Sequence, residues 1–329
     1  MCSYLEDQVD GFRGPVKAEK FPGGQSNPTW LLSAGSGHYV LRSKPPGQLL
    51  KSAHAVDREF RVIKALAETG VPVARALHLC EDEDVTGAMF YVMSYEEGRV
   101  FWDPALPDTG REERAGYHRE LMRVLAAIHE VDVDAVGLAD YGRAGNYYER
   151  QISRWTKQYK ASETGRIEAM DTLMDWLPAN LPEDDGRSGL IHGDFRIDNV
   201  IFHPGEARAL AVIDWELSTL GHPLSDLAYY CMCLRLPPQG DVKGLAGKDR
   251  AALGVPDEQA IIEQYGEFRR LPAIENWHFY LAFSYFRMAA ICQGVYKRGL
   301  DGNASSDRAL EMGRIVEPMA ADAVELIAK

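Results

Sequence analysis

The stretch LIHGDFRIDNVIF (residues 190–202), followed closely by AVIDWE (residues 211–216), decides the fold of this chain. Apolar residues flank the polar ones in both segments. This pattern predicts one strand at the start of the first segment, a second at its end and a third that opens the second segment. The polar side chains between them are therefore expected at the ends of buried strands.

The polar side chains of these two segments are mostly oxygen donors. Asp194, Asn199 and Asp214 can supply carboxylate and amide oxygens, which suit Mg²⁺ beside a phosphate better than a soft metal. His192 is the one histidine nearby, and one histidine does not make a zinc site. The spacing Asp-x-x-x-x-Asn, preceded by His-x, is that of a kinase catalytic loop, and an apolar run ending in Asp follows after a hairpin.

The motifs His-Gly-Asp (residues 192–194) and Ile-Asp-Trp-Glu (residues 213–216) resemble the aminoglycoside phosphotransferase and choline-kinase-like branch of the protein-kinase fold. Gly193 stands where protein kinases carry Arg, and Asp-Trp-Glu stands where they carry Asp-Phe-Gly. Either motif alone is compatible with an ordinary turn or strand end. Their occurrence together and in this order favours the kinase-like interpretation.

Length and composition are those of a globular protein. The chain has 329 residues, of which 46% are hydrophobic and 10% aromatic, enough for a large core. No apolar run approaches the roughly 20 residues of a membrane span, and the acidic N-terminal segment does not resemble a signal peptide. We therefore expect a cytoplasmic protein. The five cysteines are scattered, which indicates reduced thiols in a core rather than a disulfide framework or a metal site.

The net charge of −13 limits the partners of the chain. Nucleic acid and anionic membranes both attract basic surfaces, so neither is an expected partner. The same charge permits a cationic substrate. It is also common in proteins that are acidic simply to remain soluble, and this second explanation carries more weight.

Residues 16–32 form a predicted hairpin whose loop is rich in small residues. Glycine and serine let the backbone approach a phosphate closely, so the loop could cover a nucleotide. An ordinary hairpin turn explains the same residues about as well. The resemblance favours the nucleotide-binding alternative, for which the candidate residues are Gly23, Gly24, Ser26 and Asn27.

A predicted strand over residues 38–44, ended by Pro45 and Pro46, carries Arg42 and precedes a predicted helix over residues 53–69. In kinase-like folds a strand cation binds the α and β phosphates of the nucleotide and a helix Glu orients it, so the resemblance assigns these roles to Arg42 and Glu59. Arg42 stands where Lys is usual, and Lys44 remains a second candidate for the phosphate contact.

The resemblance implies an α+β, protein-kinase-like bilobal fold. It comprises a small antiparallel-sheet N-lobe with one helix over residues 1–94 and a larger, mainly helical C-lobe over residues 95–329. A hinge near residues 94–98 would read adenine through its backbone, and its candidate residues are Ser94, Tyr95 and Glu96. Within the C-lobe, Asp226 is expected to brace the catalytic loop, and His129 is expected to be a packed residue rather than a catalytic one.

Two further stretches, YVLRSKPPG (residues 39–47) and DREF (residues 57–60), resemble the kinase-like domain that is fused to acyl-CoA dehydrogenases. The implied reaction transfers the γ-phosphoryl group of ATP to a hydroxyl group. Asp194 would orient or accept the acceptor's proton. Asn199 and Asp214 would hold Mg²⁺.

The role of Arg196 has two explanations. It could stabilise charge on the transferring phosphoryl group, or it could form a surface ion pair with Asp198.

Several functions remain open at this stage. The acceptor is expected to be a small hydroxyl compound: an aminoglycoside, a choline-like alcohol, a hydroxy acid or a hydroxyacyl thioester. The alternatives are a nucleotide-binding regulatory module without catalysis and a protein kinase, which the missing Gly-rich triplet disfavours. The sequence does not distinguish ATP from GTP or reveal an oligomeric state.

Overall fold

The computed structural model describes residues 1–21, 27–45, 55–143, 145–303 and 307–328. The chain divides into two compact units, each built from three segments. The sheet unit comprises Met1–Trp102, Val131–Ala139 and Ile197–Ser218, and the helical unit comprises Asp103–Glu130, Asp140–Arg196 and Thr219–Lys329. The sheet unit thus includes residues 197–218, which a boundary near residues 94–98 would assign to the C-lobe.

The sheet unit contains a five-stranded antiparallel sheet, in which the strands of residues 17–20, 29–34, 37–43, 90–94 and 76–80 lie side by side in that order. Its elements in chain order are α1 (Cys2–Gln8), β1 (Lys17–Lys20), β2 (Thr29–Ala34), β3 (Gly37–Ser43), α2 (Val56–Leu66), β4 (Ala76–Cys80) and β5 (Phe90–Ser94). A separate antiparallel hairpin, β7 (Val200–Phe202) and β8 (Ala209–Val212), belongs to the same unit.

Helix α1 corrects the expectation of a single helix beside this sheet. Leu5, Val9 and Phe12 are buried with Leu41 and Val92 of the central strands in one apolar cluster. A helix of seven residues shows too little of the 3.6-residue period to be recognised from sequence. Leu5 of α1 thus supplies part of the core of this unit, and Val9 and Phe12 extend it beyond the end of the helix.

The helical unit is built mainly of α-helices. Its elements are α3 (Arg111–His129), α4 (Tyr147–Ser162), α5 (Glu168–Ala179), β6 (Gly189–Ile191), β9 (Thr219–Gly221), α6 (Leu224–Arg235), α7 (Arg250–Leu253), α8 (Glu258–Arg269), α9 (Trp277–Leu300) and α10 (Gly313–Ile327). Strands β6 and β9 pair antiparallel, and β9 is a strand that the sequence pattern did not reveal. None of the helices in the described part of the chain combines the length and apolarity needed to cross a membrane.

The helices of this unit surround α9, whose first three turns are buried almost all round. Helices α4, α6 and α10 pack against it. An amphipathic helix buries one stripe, whereas a helix that is apolar on all sides lies in the centre of a bundle. Because α6 packs against α9, polar residues on these two helices are held close to each other.

Candidate active site

Arg42 is the centre of a charged cluster in the sheet unit. It lies on β3, and its side chain is nearly buried, with 12% of its surface exposed. Its Nε lies 2.8 Å from Oε2 of Glu59 on α2, and its Nη2 lies 2.6 Å from Oδ1 of Asp214. The same Nη2 lies 3.8 Å from Oε2 of Glu216. One guanidinium therefore joins the sheet, a helix and the segment that follows β8.

Glu59 is held by three different side chains. Asn27 donates from Nδ2 to its Oε1 at 2.8 Å, and the phenol of Tyr91 donates to its Oε2 at 3.1 Å, in addition to the ion pair with Arg42. The Glu59 side chain is 1% exposed, and a buried carboxylate is tolerated only when its oxygens are paired in this way. The Arg42–Glu59 pair implied by the resemblance is thus present.

The cluster carries more negative than positive charge. Burial, together with the negative charges of Asp214 and Glu216, raises the pKa of Glu59 to about 7, although Arg42 and the Tyr91 hydrogen bond act in the opposite direction. For Arg42 the effect of burial is outweighed by these carboxylates, which raise the pKa of the guanidinium further. The guanidinium is therefore always charged, and an added cation would be attracted to the three carboxylates.

Oxygen atoms of Glu59, Asp214 and Glu216 lie within 4.8 Å of one another, close enough to share one cation. Asp214 has a left-handed backbone with φ +65°, a conformation that Asp tolerates better than most residues. Asn199 lies at the same end of the β7–β8 hairpin, since its carbonyl accepts a hydrogen bond from the Ile213 N–H at 2.9 Å. Hard oxygen donors of this kind fit Mg²⁺.

Asp194 belongs to the helical unit, in the turn after β6. The preceding Gly193 has φ +84°, a left-handed conformation that explains why glycine separates His192 from Asp194. The backbone N–H groups of His192 and Gly193 donate to the carboxylate of Asp226 at 2.6 and 2.9 Å. Asp226 therefore braces this turn, as the sequence led us to expect.

Asp226 is fully buried and ionised. Burial opposes its charge, but hydrogen bonding to His129 and to backbone N–H groups, together with the nearby imidazoles, lowers its pKa below the ordinary value. His129 lies between Oδ2 of Asp226 at 3.2 Å and the Tyr265 hydroxyl at 2.8 Å. His129 is thus a packed residue, which confirms the structural interpretation.

Two side chains from other helices position the Asp194 turn. The Tyr229 hydroxyl on α6 donates to Asp194 Oδ1 at 2.6 Å, and Arg287 on α9 donates from Nη2 to the Gly193 carbonyl at 2.9 Å. Arg196 lies nearby, with its Nε 3.6 Å from Asp194 Oδ1. Tyr229 and Arg196 thus both approach Oδ1 of Asp194, whose side chain is 19% exposed.

Some of the predicted site residues cannot be placed. Gly23, Gly24 and Ser26 lie outside the described residues. Lys44 is described, and its side chain forms no salt bridge with any carboxylate in the described ranges, whereas Arg42 forms three. The structure therefore brings Arg42 rather than Lys44 to Glu59.

The candidate hinge residues lie at the end of β5. Ser94 accepts a hydrogen bond from the Arg75 N–H at 2.8 Å and donates to the Glu96 carboxylate at 2.6 Å, while the Tyr95 ring contacts His38. These contacts hold the backbone of the segment in a defined conformation. Its role in binding adenine remains a prediction.

The sequence analysis did not identify four of the residues around Arg42 and Asp194: Tyr91, Glu216, Tyr229 and Arg287. Glu216 had a visible signal, because it is the acidic residue of the Asp-Trp-Glu motif. The other three lie on apolar strand or helix stretches and reach their partners only through the fold. Arg287, for example, contacts a residue 94 positions earlier in the chain.

The sequence model of the phosphotransferase enzyme family matches residues 17–263. The chain belongs to this family. Among curated proteins it is 48% identical over 308 residues to mouse acyl-CoA dehydrogenase family member 10, covering 93% of this chain and 29% of that protein. It is 43% identical over 329 residues to human acyl-CoA dehydrogenase family member 11, covering 98% of this chain and 42% of that protein. The chain thus spans less than half the length of these relatives.

Solved structures of this phosphotransferase family share the fold. A Ralstonia eutropha protein, named for the aminoglycoside phosphotransferases, is 50% identical with a TM-score of 0.90, covering 98% of this chain and 96% of that one. A thermostable mutant of aminoglycoside phosphotransferase APH(4)-Ia, in a ternary complex with ADP and hygromycin B, is 15% identical with a TM-score of 0.66. That match covers 99% of this chain and 98% of the other. The kinase-like α+β fold and the family that the motifs indicated are confirmed.

Proposed function

We propose that this phosphotransferase-family chain transfers the γ-phosphoryl group of ATP to a hydroxyl group of a small acceptor. The observation that carries the proposal is the cluster in which Arg42 joins Glu59 to Asp214. A fixed cation beside exposed carboxylate oxygens suits a site for a metal–phosphate complex, because phosphoryl transfer depends mainly on positioning and electrostatics.

Arg42 is proposed to bind the α and β phosphates. Glu59 fixes the guanidinium through Nε and is itself fixed by Asn27 and Tyr91, so the cation is held before the nucleotide arrives. The planar guanidinium can form two parallel hydrogen bonds to phosphate, which a Lys cannot.

Asp214 and Asn199 are the proposed Mg²⁺ ligands, with Glu216 beside them. The Asp214 side chain is one-third exposed, and Arg42 contacts it through Oδ1. Bound Mg²⁺ would supply positive charge against the β and γ phosphate oxygens. The excess of carboxylates over the single guanidinium supports a divalent cation at this place.

Asp194 is proposed to orient the acceptor hydroxyl and to receive its proton. Tyr229 holds Oδ1, and Arg287 fixes the preceding carbonyl, so the carboxylate is held in one orientation. Arg196 is proposed to stabilise charge on the transferring group, although its 3.6 Å approach to Asp194 also supports a purely positioning role.

The nucleotide is proposed to be ATP, held also by the loop containing Gly23, Gly24, Ser26 and Asn27 and by the backbone of residues 94–96. Structural neighbours in complex with ADP and with AMP-PNP support an adenine nucleotide. Those neighbours bind hygromycin B, and another binds spectinomycin. The names of the curated relatives point instead to acyl chemistry, which favours a hydroxy acid or hydroxyacyl thioester.

Release of ADP from MgATP with a panel of hydroxyl acceptors tests the proposal. The panel contains an aminoglycoside, choline, hydroxy acids and hydroxyacyl thioesters, and the Asp194→Asn protein is the control. We expect release that depends on one acceptor class and is reduced by about two or more orders of magnitude in the variant. Nucleotide binding without acceptor-dependent release would favour the regulatory module, and full turnover by Asp194→Asn would refute the role of that residue.

A further inference from the structure

A basic groove of about 790 Å³ runs along one face of α4 in the helical unit. Its lining includes Arg143, Arg150, Arg154 and Lys157, together with one carboxylate, Glu149. Residues 150, 154 and 157 recur at helical spacing, so their side chains emerge on the same face of the helix. The groove is thus strongly positive in a chain whose net charge is −13.

The cations of this groove differ from others on the same helix. Lys160 pairs with Glu163 and Asp171, whereas no described carboxylate forms a salt bridge with Arg143, Arg154 or Lys157. The chain has 49 acidic and 36 basic residues, so partners are abundant. Three neighbouring cations without salt bridges to described carboxylates, in a chain this acidic, are the complement of an external anion.

Arg150 shows the effect of crowding these charges. Burial and the neighbouring charge of Arg143 lower the pKa of the Arg150 guanidinium, although Asp184 and Glu149 act in the opposite direction. Arg150 also donates a hydrogen bond to the backbone carbonyl of Arg143, which holds the two residues together. An anion bound between them would relieve the repulsion.

A continuous series of contacts leads from the groove to the Asp194 turn. The Arg154 guanidinium lies 5.3 Å from the Trp155 ring, and the Arg287 guanidinium lies 5.9 Å from the same ring. Arg287 in turn donates to the Gly193 carbonyl at 2.9 Å. Trp155 and Arg287 thus link Arg154 of the groove to the turn that carries Asp194, within the helical unit.

We propose that this groove binds a phosphate-bearing portion of the acceptor whose hydroxyl is presented to Asp194. The proposal rests on the proposed phosphotransfer and names the class of its acceptor. Arginine side chains match the oxygens of a phosphate, and the groove volume lies in the range of small-molecule sites. A polycationic aminoglycoside would be repelled from the same surface.

Binding of inorganic pyrophosphate tests the groove without any catalysis. Titration calorimetry in the presence of saturating MgADP compares the wild type with the double variant Arg154→Gln/Lys157→Gln. Lys160→Gln is the matched control, because it removes a cation of α4 that does not line the groove and is paired with Glu163 and Asp171. We expect the double variant to bind at least about tenfold more weakly and the control to bind like the wild type. Equal affinity in all three proteins would overturn the proposal.

A matched pair of acceptors tests the connection to catalysis. A hydroxyacyl thioester of coenzyme A and the same thioester of N-acetylcysteamine share the reacting hydroxyl, but only the first carries phosphates. We expect the double variant to raise KM about tenfold for the coenzyme A compound alone, with kcat unchanged. An equal change for both compounds would overturn the assignment.

The two proposals fail separately. If neither thioester nor any other acceptor is phosphorylated, the proposed function fails, while a weakened pyrophosphate titration would still support the groove. If an acceptor is phosphorylated but pyrophosphate binds the double variant normally, the groove proposal fails alone. Tighter binding of a single-stranded oligonucleotide than of pyrophosphate, lost in the double variant, would also overturn the small-molecule assignment.

Discussion

The phenol of Tyr229 donates a hydrogen bond to Oδ1 of Asp194, with 2.6 Å between the two oxygens. Burial, together with the negative charge of Asp194, raises the pKa of Tyr229 well above its ordinary value, so the phenol stays a donor at any physiological pH. This bond restricts the orientation of the Asp194 carboxylate.

Removing this hydrogen bond is expected to affect the chemical step. Tyr229→Phe should lower kcat about tenfold with little change in KM for MgATP, because one neutral-to-charged hydrogen bond contributes about 1.5 kcal/mol. Tyr230→Phe is the control, since that hydroxyl contacts His118 instead. Steady-state kinetics of the two variants measure the difference, and equal effects would show that Tyr229 acts only through folding.

Glu216 is expected to decrease the free energy of unfolding and to increase the affinity for MgATP. Glu216→Gln removes one of three carboxylates around Arg42 and should raise the free energy of unfolding at pH 8 by up to about 1 kcal/mol. Affinity for MgATP should fall in the same variant. Denaturant unfolding and equilibrium binding measure the two effects, and a destabilised variant would contradict the charge excess inferred here.

The pH dependence of this cluster follows from Glu59. Burial raises its pKa to about 7, so between about pH 4.5 and 7 the folded state binds more protons than the unfolded state. The free energy of unfolding should therefore contain a contribution that decreases as the pH rises through this window. Glu216→Gln should make that decrease shallower, and an unchanged slope would argue against coupling between the two carboxylates.

His118 is expected to produce the opposite dependence at acid pH. Its Nε2 faces the Pro104 carbonyl at 3.0 Å and its Nδ1 faces the Tyr230 hydroxyl at 2.6 Å, contacts that suit the neutral ring. Burial lowers the pKa of His118 to about 4. The unfolded state then binds more protons between about pH 6.5 and 4, so stability should fall as the pH decreases, by at most about 3 kcal/mol.

His118→Gln should weaken this acid sensitivity, and His278→Gln, a change at an exposed histidine, should leave it unaltered. Urea unfolding at a series of pH values from 4 to 7 provides the measurement. If the His118→Gln protein keeps the full dependence, other groups must account for it.

Asp226 is expected to be essential to the Asp194 turn. Asp226→Asn removes a charged acceptor from two backbone N–H groups and from His129, and should cost about 2–3 kcal/mol of stability. Thermal unfolding measures the loss. Turnover should also fall, because the turn that orients Asp194 loses its support, whereas a variant of normal stability and turnover would contradict the bracing role.

The strands and helices with a clear residue pattern were predictable from the sequence. Strand alternation and helical periodicity located most elements, and the resemblance to kinase-like folds implied the Arg42–Glu59 pair. Helix α1 was too short to show a period, and β9 has only three residues. Helix α1 is stabilised by packing against the sheet and β9 by pairing with β6, and neither has a sequence pattern that would predict it.

The site was recognisable only in part for a similar reason. Motifs of fixed spacing contain Asp194, Asn199 and Asp214, so these residues could be identified as site candidates from the sequence. Tyr229 and Arg287 lie on buried helices, where an aromatic or a long side chain usually indicates packing, and their partners are 35 and 94 residues away. The basic groove likewise exists only because α4 places residues 150, 154 and 157 on one face.

The most direct test of the central claim is equilibrium binding of ATP, measured with and without Mg²⁺, for the wild-type, Asp214→Asn and Asp194→Asn proteins. The cluster around Arg42 predicts that Mg²⁺ strengthens binding to the wild type and to Asp194→Asn, and that this enhancement is reduced at least about tenfold in Asp214→Asn. Wild-type affinity that is the same with and without Mg²⁺ would contradict the account.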